Sequence, residues 1–186
     1  MSVLYQGTLS PELAPCTLAT GAWPESEADV PPPPLPGFVV SAFSALAAEV
    51  ARRCLSQCPE YSDGLEAGSE GGRAPAVTAV VMVSSLGDIA SAAHVAQAVD
   101  SRDRVLPLLF FQSVPNSVAG YIAARWRLTG PVVSVGGLDA GFGAAAQLIE
   151  DADAERVLLI RIEQAEVTGA RDRAEALLLA APEEES

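Results

Sequence analysis

A chain of 186 residues in which 49% of side chains are hydrophobic is long enough and apolar enough to close one domain around a core. Its formal net charge of -13 repels phosphate backbones and anionic bilayers, so neither nucleic acid nor a membrane surface is an expected partner. No apolar run reaches the roughly 18 residues of a membrane span. The opening MSVLYQGTLSPEL lacks the basic and apolar regions of a secretory signal, so a cytoplasmic location is expected.

Residues 2–9, SVLYQGTL, alternate in hydropathy and predict a first strand. From 10 to 37 the periodicity is lost, and the prolines at 31–34 and at 36 mark a Pro-rich connector. Consecutive prolines favour extended polyproline geometry, which suits a stiff link over the surface or a ligand for a proline-reading module. Ser41 suits the N-cap of a helix over 41–55, with Phe43, Ala47, Val50 and Cys54 on one face. Arg52 and Arg53 stand at its negative end. Residues 59–75, rich in Gly, Glu and Ser, read as a flexible loop.

The run AVTAVVMVSS over 76–85 predicts a buried strand. Gly87 and Asp88 turn it into a helix over 89–99, with Ile89, Ala92, Ala93, Ala96 and Val99 as its core stripe and His94 at the edge. The run VLPLLFFQSVPN then leads to Asn116 as the N-cap of a helix over 117–128, stopped by Gly130-Pro131. Residues 132–135 form a short strand, 136–141 a tight turn, and a helix follows to about 150. Strands over 156–163 and 174–181 and an acidic tail over 182–186 complete a single domain. The alternation predicts an α/β fold, with a mostly parallel central sheet and helices on both faces.

Three cysteines, Cys16, Cys54 and Cys58, are odd in number and spread apart, which predicts no disulfide framework. With His94 as the single histidine, no metal site is expected.

The segment VVSVGGLDAGFGAAAQLI is a strand, a glycine-rich turn and a small-residue helix, an elbow that lifts one side chain to a helix N-terminus. With its approach, FFQSVPNSVAGYIAARWRLTGPVVSVGG, it resembles the β-ketoacyl synthases of the thiolase-like superfamily. By that resemblance Pro115-Asn116 opens a helix containing Ala119-Gly120, which runs to Arg125 and Gly130-Pro131. VVMVSSLGDIASAAHVAQAV is similar to the family's earlier strand, turn and helix, and RVLLIRIEQA with AEALLLAAP to its strand pair after the elbow. SVLYQGTLSP is similar to its opening strand. The resemblance covers most of 40–181 and implies a thiolase-like half-fold. It is nearest to the short ketosynthase-like N-terminal domains found beside bacterial polyketide and aryl-polyene pathways.

The departures bear on function. Where the family's elbow carries a nucleophilic Cys, this chain carries Asp139, within Gly137-Leu138-Asp139-Ala140. A carboxylate is a poor acyl carrier in place of a polarisable thiolate. The family's two histidines belong to a C-terminal half that these residues do not match, and His94 cannot replace both. Claisen condensation by this chain alone is therefore excluded. Asp139 is either the N-cap of its helix or a general acid/base in an apolar pocket with Phe111, Gln112, Asn116, Leu138 and Phe142.

Two functions follow from the resemblance. One is a non-condensing partner subunit or scaffold for chains held by acyl carrier protein in polyketide or fatty-acyl biosynthesis. The other is a small isomerase or dehydratase acting on carrier-bound polyene thioesters through Asp139. Neither needs a cofactor beyond the carrier's phosphopantetheine arm as ligand. Carrier proteins are acidic, so docking falls to Arg102, Arg104, Arg125 and Arg127. The strand VVSV, apolar and free of charge, predicts an open edge. By resemblance it pairs with its twin in a homodimer, or with a ketosynthase-like subunit in a heterodimer. Tyr121 and Trp126 on the preceding helix suit such an interface.

Overall fold

The computed structural model describes residues 15–38, 41–61, 76–102, 107, 111, 113–165 and 171–182. Within them the chain forms β1 (Cys16–Trp23), α1 (Ala42–Leu55), β2 (Thr78–Val83), α2 (Ile89–Asp100) and α3 (Pro115–Trp126). It continues through β3 (Val132–Val135), α4 (Leu138–Glu150), β4 (Arg156–Glu163) and β5 (Arg173–Ala180). The strands make one sheet in the order β1-β5-β4-β2-β3.

The fold is the expected α/β one with helices on both faces, and its sheet is mixed, the parallel part being β3, β2 and β4. β2 pairs in parallel with both β3 and β4, whereas β5 runs antiparallel to both β4 and β1. Connection length explains the difference. Helices α2 and α3 lie between β2 and β3, and α4 lies between β3 and β4. The link over 164–172 is shorter than the dozen or so residues that a parallel crossover needs.

The first strand of the sheet lies inside the stretch read as a Pro-rich connector, and residues 2–9 lie outside the described residues. The sequence CTLATGAW hides its alternation because its inward residues are mostly small. Ala19, Gly21 and Trp23 are its buried positions. A Cβ on Gly21 would stand 2.5 Å from Val50 O and 2.7 Å from Cys54 N, so α1 lies directly on β1 there.

The core has two sides. α1 and α3 cover one face, packing Phe43, Leu46, Val50 and Ile122 against Met82, Leu158, Ile160 and Leu178. On the other face α4 sets Ala145 against Val81, Val83, Leu159 and Leu179. Every residue of β2 is buried. A fully buried Val, Leu or Ile contributes roughly 1.5–3 kcal/mol. α1 matches its expected cap and face: Ser41 Oγ accepts from Phe43 N at 3.0 Å, and Phe43, Ala47, Val50 and Cys54 are buried.

The other helices depart from expectation. In α2 the expected stripe fails: Ala92, Ala93, Ala96 and Val99 are exposed, and Ser91 is the buried residue. Asp88 explains the rotation, because its carboxylate accepts from Ser91 N at 3.0 Å and from Ser91 Oγ at 2.7 Å. α3 begins with Val114 as N-cap and Pro115 in its first turn, not with Asn116 as cap. Proline suits that place because its missing N–H has no helical partner there and its φ is already helical. Tyr121 and Trp126 are drawn into the fold: Trp126 is buried, and Tyr121 meets Phe38 edge-on at 6.1 Å. Within the expected loop over 59–75, Pro59–Tyr61 is a 3-10 turn that buries Tyr61, and 62–75 lie outside the described residues. Residues 183–186 of the acidic tail lie outside them too.

Arg53 ties the connector to α1. Its guanidinium donates to Asp29 Oδ2 at 2.9 Å, Ala22 O at 2.9 Å and Glu49 Oε1 at 2.8 Å. The Arg53 hydrogen bond holds the Asp29 carboxyl below its ordinary range, and bonds from Arg52 and Arg53 do the same for Glu49. Carboxyls depressed in this way stabilise the fold above their unfolded pKa, and the contribution is lost as pH falls through their folded values.

Two predictions follow. Gly21→Ala should destabilise by about 1–3 kcal/mol or more through overpacking, whereas Gly143→Ala, where a Cβ meets nothing within 4 Å, should stabilise α4. That gain should be about 0.5–1 kcal/mol; urea unfolding measures both, and equal signs would contradict this packing. Arg53→Gln should lower the Tm by a few degrees at neutral pH. The gap from the parent should close below about pH 4 as the carboxyls protonate, which thermal melts across pH would show.

Candidate functional site

The three parallel strands deliver their carboxyl ends to one edge of the sheet, where β2 ends at Val83, β3 at Val135 and β4 at Glu163. Open α/β sheets bind ligands at such edges. The elbow stands here. After β3 the chain passes Gly136 and enters α4 through Gly137, an N-cap with extended backbone (φ -147°, ψ 154°) and no side-chain hydrogen bond. The first helical bond runs from Gly141 N to Gly137 O at 3.0 Å. The N–H groups of Leu138, Asp139 and Ala140 therefore precede the helical ladder. A Cβ on Gly136 or Gly137 would meet nothing within 4 Å, so the space above the elbow is open. Gly141 has the opposite surroundings: a Cβ there would stand 2.5 Å from Val83 Cγ2, which keeps α4 close on the sheet.

Asp139 is exposed in the first turn of α4, one residue into the helix beyond Leu138. It is not the N-cap, because the chain is still extended at Gly137 and helical from Leu138. Among the described residues its side chain is exposed and not enclosed by apolar groups. Leu138 and Phe142 are half-buried against the core on the α4 side. Phe111 is 70% exposed, and its carbonyl accepts a hydrogen bond from Ser117 Oγ. Asn116 serves a link that the sequence did not announce: its Oδ1 accepts from Ser134 Oγ, joining the start of α3 to β3. Gln112 lies outside the described residues.

Beside the elbow a groove of about 390 Å³ opens at the ends of β2 and β4, lined in part by Ser84, Ser85, Leu86, Ile89 and Gln164. Gly87 adopts φ +66° and donates its N–H to Ser84 Oγ at 3.1 Å, closing the loop that forms one wall. Gln164 Oε1 accepts from Ile89 N at 2.9 Å and ties the start of α2 to the end of β4. Asp88 announces itself by cap chemistry just before an apolar run, whereas Gln164 acts across most of a crossover and has no local signal.

No cysteine stands at the elbow. Cys54 lies on α1, where burial pushes its thiol up to about 12, with neighbouring Cys58 adding to the effect. Burial also raises the Cys58 thiol. Cys16 lies at the start of β1, its Sγ 3.4 Å from Ala181 O. Neither Cys54 nor Cys58 is ionised near neutral pH, so neither offers the thiolate that thioester exchange needs.

Among the described residues β3 is the outermost strand on its side of the sheet. Pro131 O accepts from Val80 N at 2.9 Å and Val135 O from Ser84 N at 3.2 Å. Alternate residues of a parallel strand bond to one neighbour, so the backbone groups of Val132 and Ser134 face outward. The candidate docking arginines lie toward the other end of the sheet. Arg125 and Arg127 close α3 just before Gly130, whose N–H donates to Thr78 O at the start of β2. Arg125 stacks over Trp126 at 5.9 Å, and Arg127 takes the left-handed C-cap conformation. Arg102 follows α2, which runs about 18 Å from its start; Arg104 lies outside the described residues.

Among the described residues no helix is long and apolar enough to cross a membrane. No protein-family model matches the sequence, and no curated protein matches it. Solved structures do. A chain of the complex of a ketosynthase (ApeO) with its chain length factor (ApeC) from Xenorhabdus doucetiae matches at TM-score 0.63 and 20% identity. The match covers 91% of this chain and 79% of that one. The β-ketoacyl-[acyl carrier protein] synthase III (FabH) from Thermus thermophilus matches at TM-score 0.50 and 17% identity, over 90% of this chain and 52% of that one. The likeness is one of fold at these identities: a five-stranded mixed sheet between helices, with an elbow after β3, matches part of each of these chains.

Proposed function

We propose that the protein is a non-condensing ketosynthase-like subunit that pairs with a second such chain and helps to hold acyl chains delivered by a carrier protein. The observation that carries this reading is the elbow. It joins β3 to α4 through two glycines, and by the resemblance Asp139, exposed in the first turn of α4, takes the place of the family's cysteine. A carboxylate there could form only a mixed anhydride, which is too labile to retain a chain through condensation. The size of the matched chain points the same way: this protein covers 79% of a chain from a two-protein ketosynthase complex, against 52% of synthase III.

Pairing follows from β3. The outward backbone groups of Val132 and Ser134 are hydrogen-bonding groups on an uncharged edge strand, the kind that pairs with another chain. Antiparallel pairing of two such edges would bring Phe111 of one subunit toward the elbow of the other and enclose what is open in one chain. Exposed Arg102 and Arg127 would meet an acidic carrier at the opposite end of the sheet.

A second reading has one observation in its favour. Asp139 stands beside the uncapped N–H groups of α4, a base next to donors for an oxyanion. That pair could shift a proton beside a thioester carbonyl, as in an isomerase or dehydratase.

Three measurements decide. Incubated alone with malonyl- and acyl-carrier thioesters, the protein should yield no condensation product by mass spectrometry. At micromolar concentration light scattering should give a two-chain particle, and Val132→Pro, which removes only an outward N–H, should shift it to a monomer. Val133→Lys should do the same, and a parent that is already a monomer would overturn self-pairing. Asp139→Asn should change stability by no more than about 0.5–1 kcal/mol; a large loss of turnover on polyene thioesters in that variant would favour the enzyme over the scaffold.

A further inference from the structure

The connector from β1 to α1 has a surface that neither the sheet nor the elbow accounts for. Exposure along residues 29–35 repeats every third residue. Asp29, Pro32 and Leu35 are half-buried, while Val30, Pro31, Pro33 and Pro34 are exposed. Residues 29–34 belong to no helix or strand. Three residues per turn is the period of the polyproline II helix, which consecutive prolines favour. One ridge of that helix is seated on the domain and two ridges face outward.

The seating is held at both ends. Arg53 donates to Asp29 Oδ2 at 2.9 Å, and Trp23 Nε1 donates to Val30 O at 3.2 Å. Pro32 and Leu35 line a groove with Tyr121 and Trp126, and the exposed Pro33 borders it. Beyond it, Phe38 N donates to Leu35 O at 2.9 Å. The segment is therefore ordered by the domain before any partner arrives.

The outward ridges are apolar. Val30, at 77%, is the most exposed of the large exposed hydrophobic residues. A chain of net charge -13 here shows four consecutive uncharged proline rings and a valine, with exposed Glu25 and Glu27 just before them, Glu25 also lying 3.3 Å from the Arg53 guanidinium. Fixing α1 to β1 needs only the seated ridge. It gives no reason for the two outward ridges to carry Val30, Pro31, Pro33 and Pro34.

We infer that residues 30–34 are a docking ridge for a protein partner whose groove is lined by aromatic side chains. Basic residues rim that groove at the end receiving Glu25 and Glu27. Aromatic grooves take the two outward ridges of a polyproline helix, and a ridge ordered beforehand loses little conformational entropy on binding. The acidic flank sets the direction in which the ridge lies in the groove.

The test uses the whole protein and a purified WW domain with a basic-rimmed aromatic groove as the probe. Isotope-labelled WW domain titrated with the protein should show saturable shifts at its groove residues, displaced by a proline decapeptide. Pro31→Ala with Pro34→Ala should weaken binding about tenfold, with the Tm unchanged because both rings are exposed. Glu25→Gln with Glu27→Gln should weaken it less, and the difference should vanish in high salt. Absence of groove shifts at millimolar protein overturns the inference. So does binding that survives the double proline variant, or a double variant that loses Tm in step with binding, since that marks the prolines as fold stabilisers.

Discussion

Strand β2 is the constraint on which the rest depends. All six of its residues are buried, so it must be covered on both faces and paired on both sides. β3 and β4 flank it in parallel, which requires long crossovers, and helices in those crossovers supply the cover. Close approach is needed on both sides. A Cβ on Gly130 would stand 2.6 Å from Ala79 N, and one on Gly141 would stand 2.5 Å from Val83 Cγ2. The same requirement fixes the site: parallel strands bring their carboxyl ends to one edge, so the loop after β2, the elbow after β3 and Gln164 after β4 become neighbours.

At that edge the chemistry is set by what the elbow holds. Helices α1 and α2 begin with side-chain caps from Ser41 and Asp88, whereas α3 and α4 begin without one. The uncapped pair flanks β3. Partial positive charge at a helix start favours a carboxylate, and Asp139 stands in that field in the first turn of α4. The first turn of α4 thus carries a carboxyl group and no thiol. The cysteines offer no substitute, because burial in and beside α1 raises the thiols of Cys54 and Cys58.

Much of this was legible in the sequence. β2, β3, β4 and α1 stand close to where hydropathy placed them, since β2, β4 and α1 bury large apolar residues and β3 is a short apolar run between Gly130-Pro131 and Gly136-Gly137. The elbow was legible through its glycines and through the run from Pro115 to Pro131. β1 was not, because Gly21 and Ala19 stand where a strand would show large apolar residues. The α2 stripe misled because a helix of alanines is apolar on every side, so one buried Asp88–Ser91 cap decides which face turns inward. The antiparallel β5 depended on the length of one loop. Gln164 to Ile89 and Ser134 to Asn116 join residues far apart in the chain, and only the folded sheet brings them together.

β3 links the outer edge of the sheet to the site. It has only four residues, and the last two each act on both sides of that link. The backbone of Ser134 faces the open edge while its hydroxyl bonds Asn116 at the start of α3. Val135 bonds back to β2 through Ser84, and the next residue, Gly136, opens the elbow. A strand added at the edge would therefore act on the first turns of both α3 and α4 within two residues of its own hydrogen bonds. Because the elbow is open among the described residues, a strand added at that edge would reach the site along this short path.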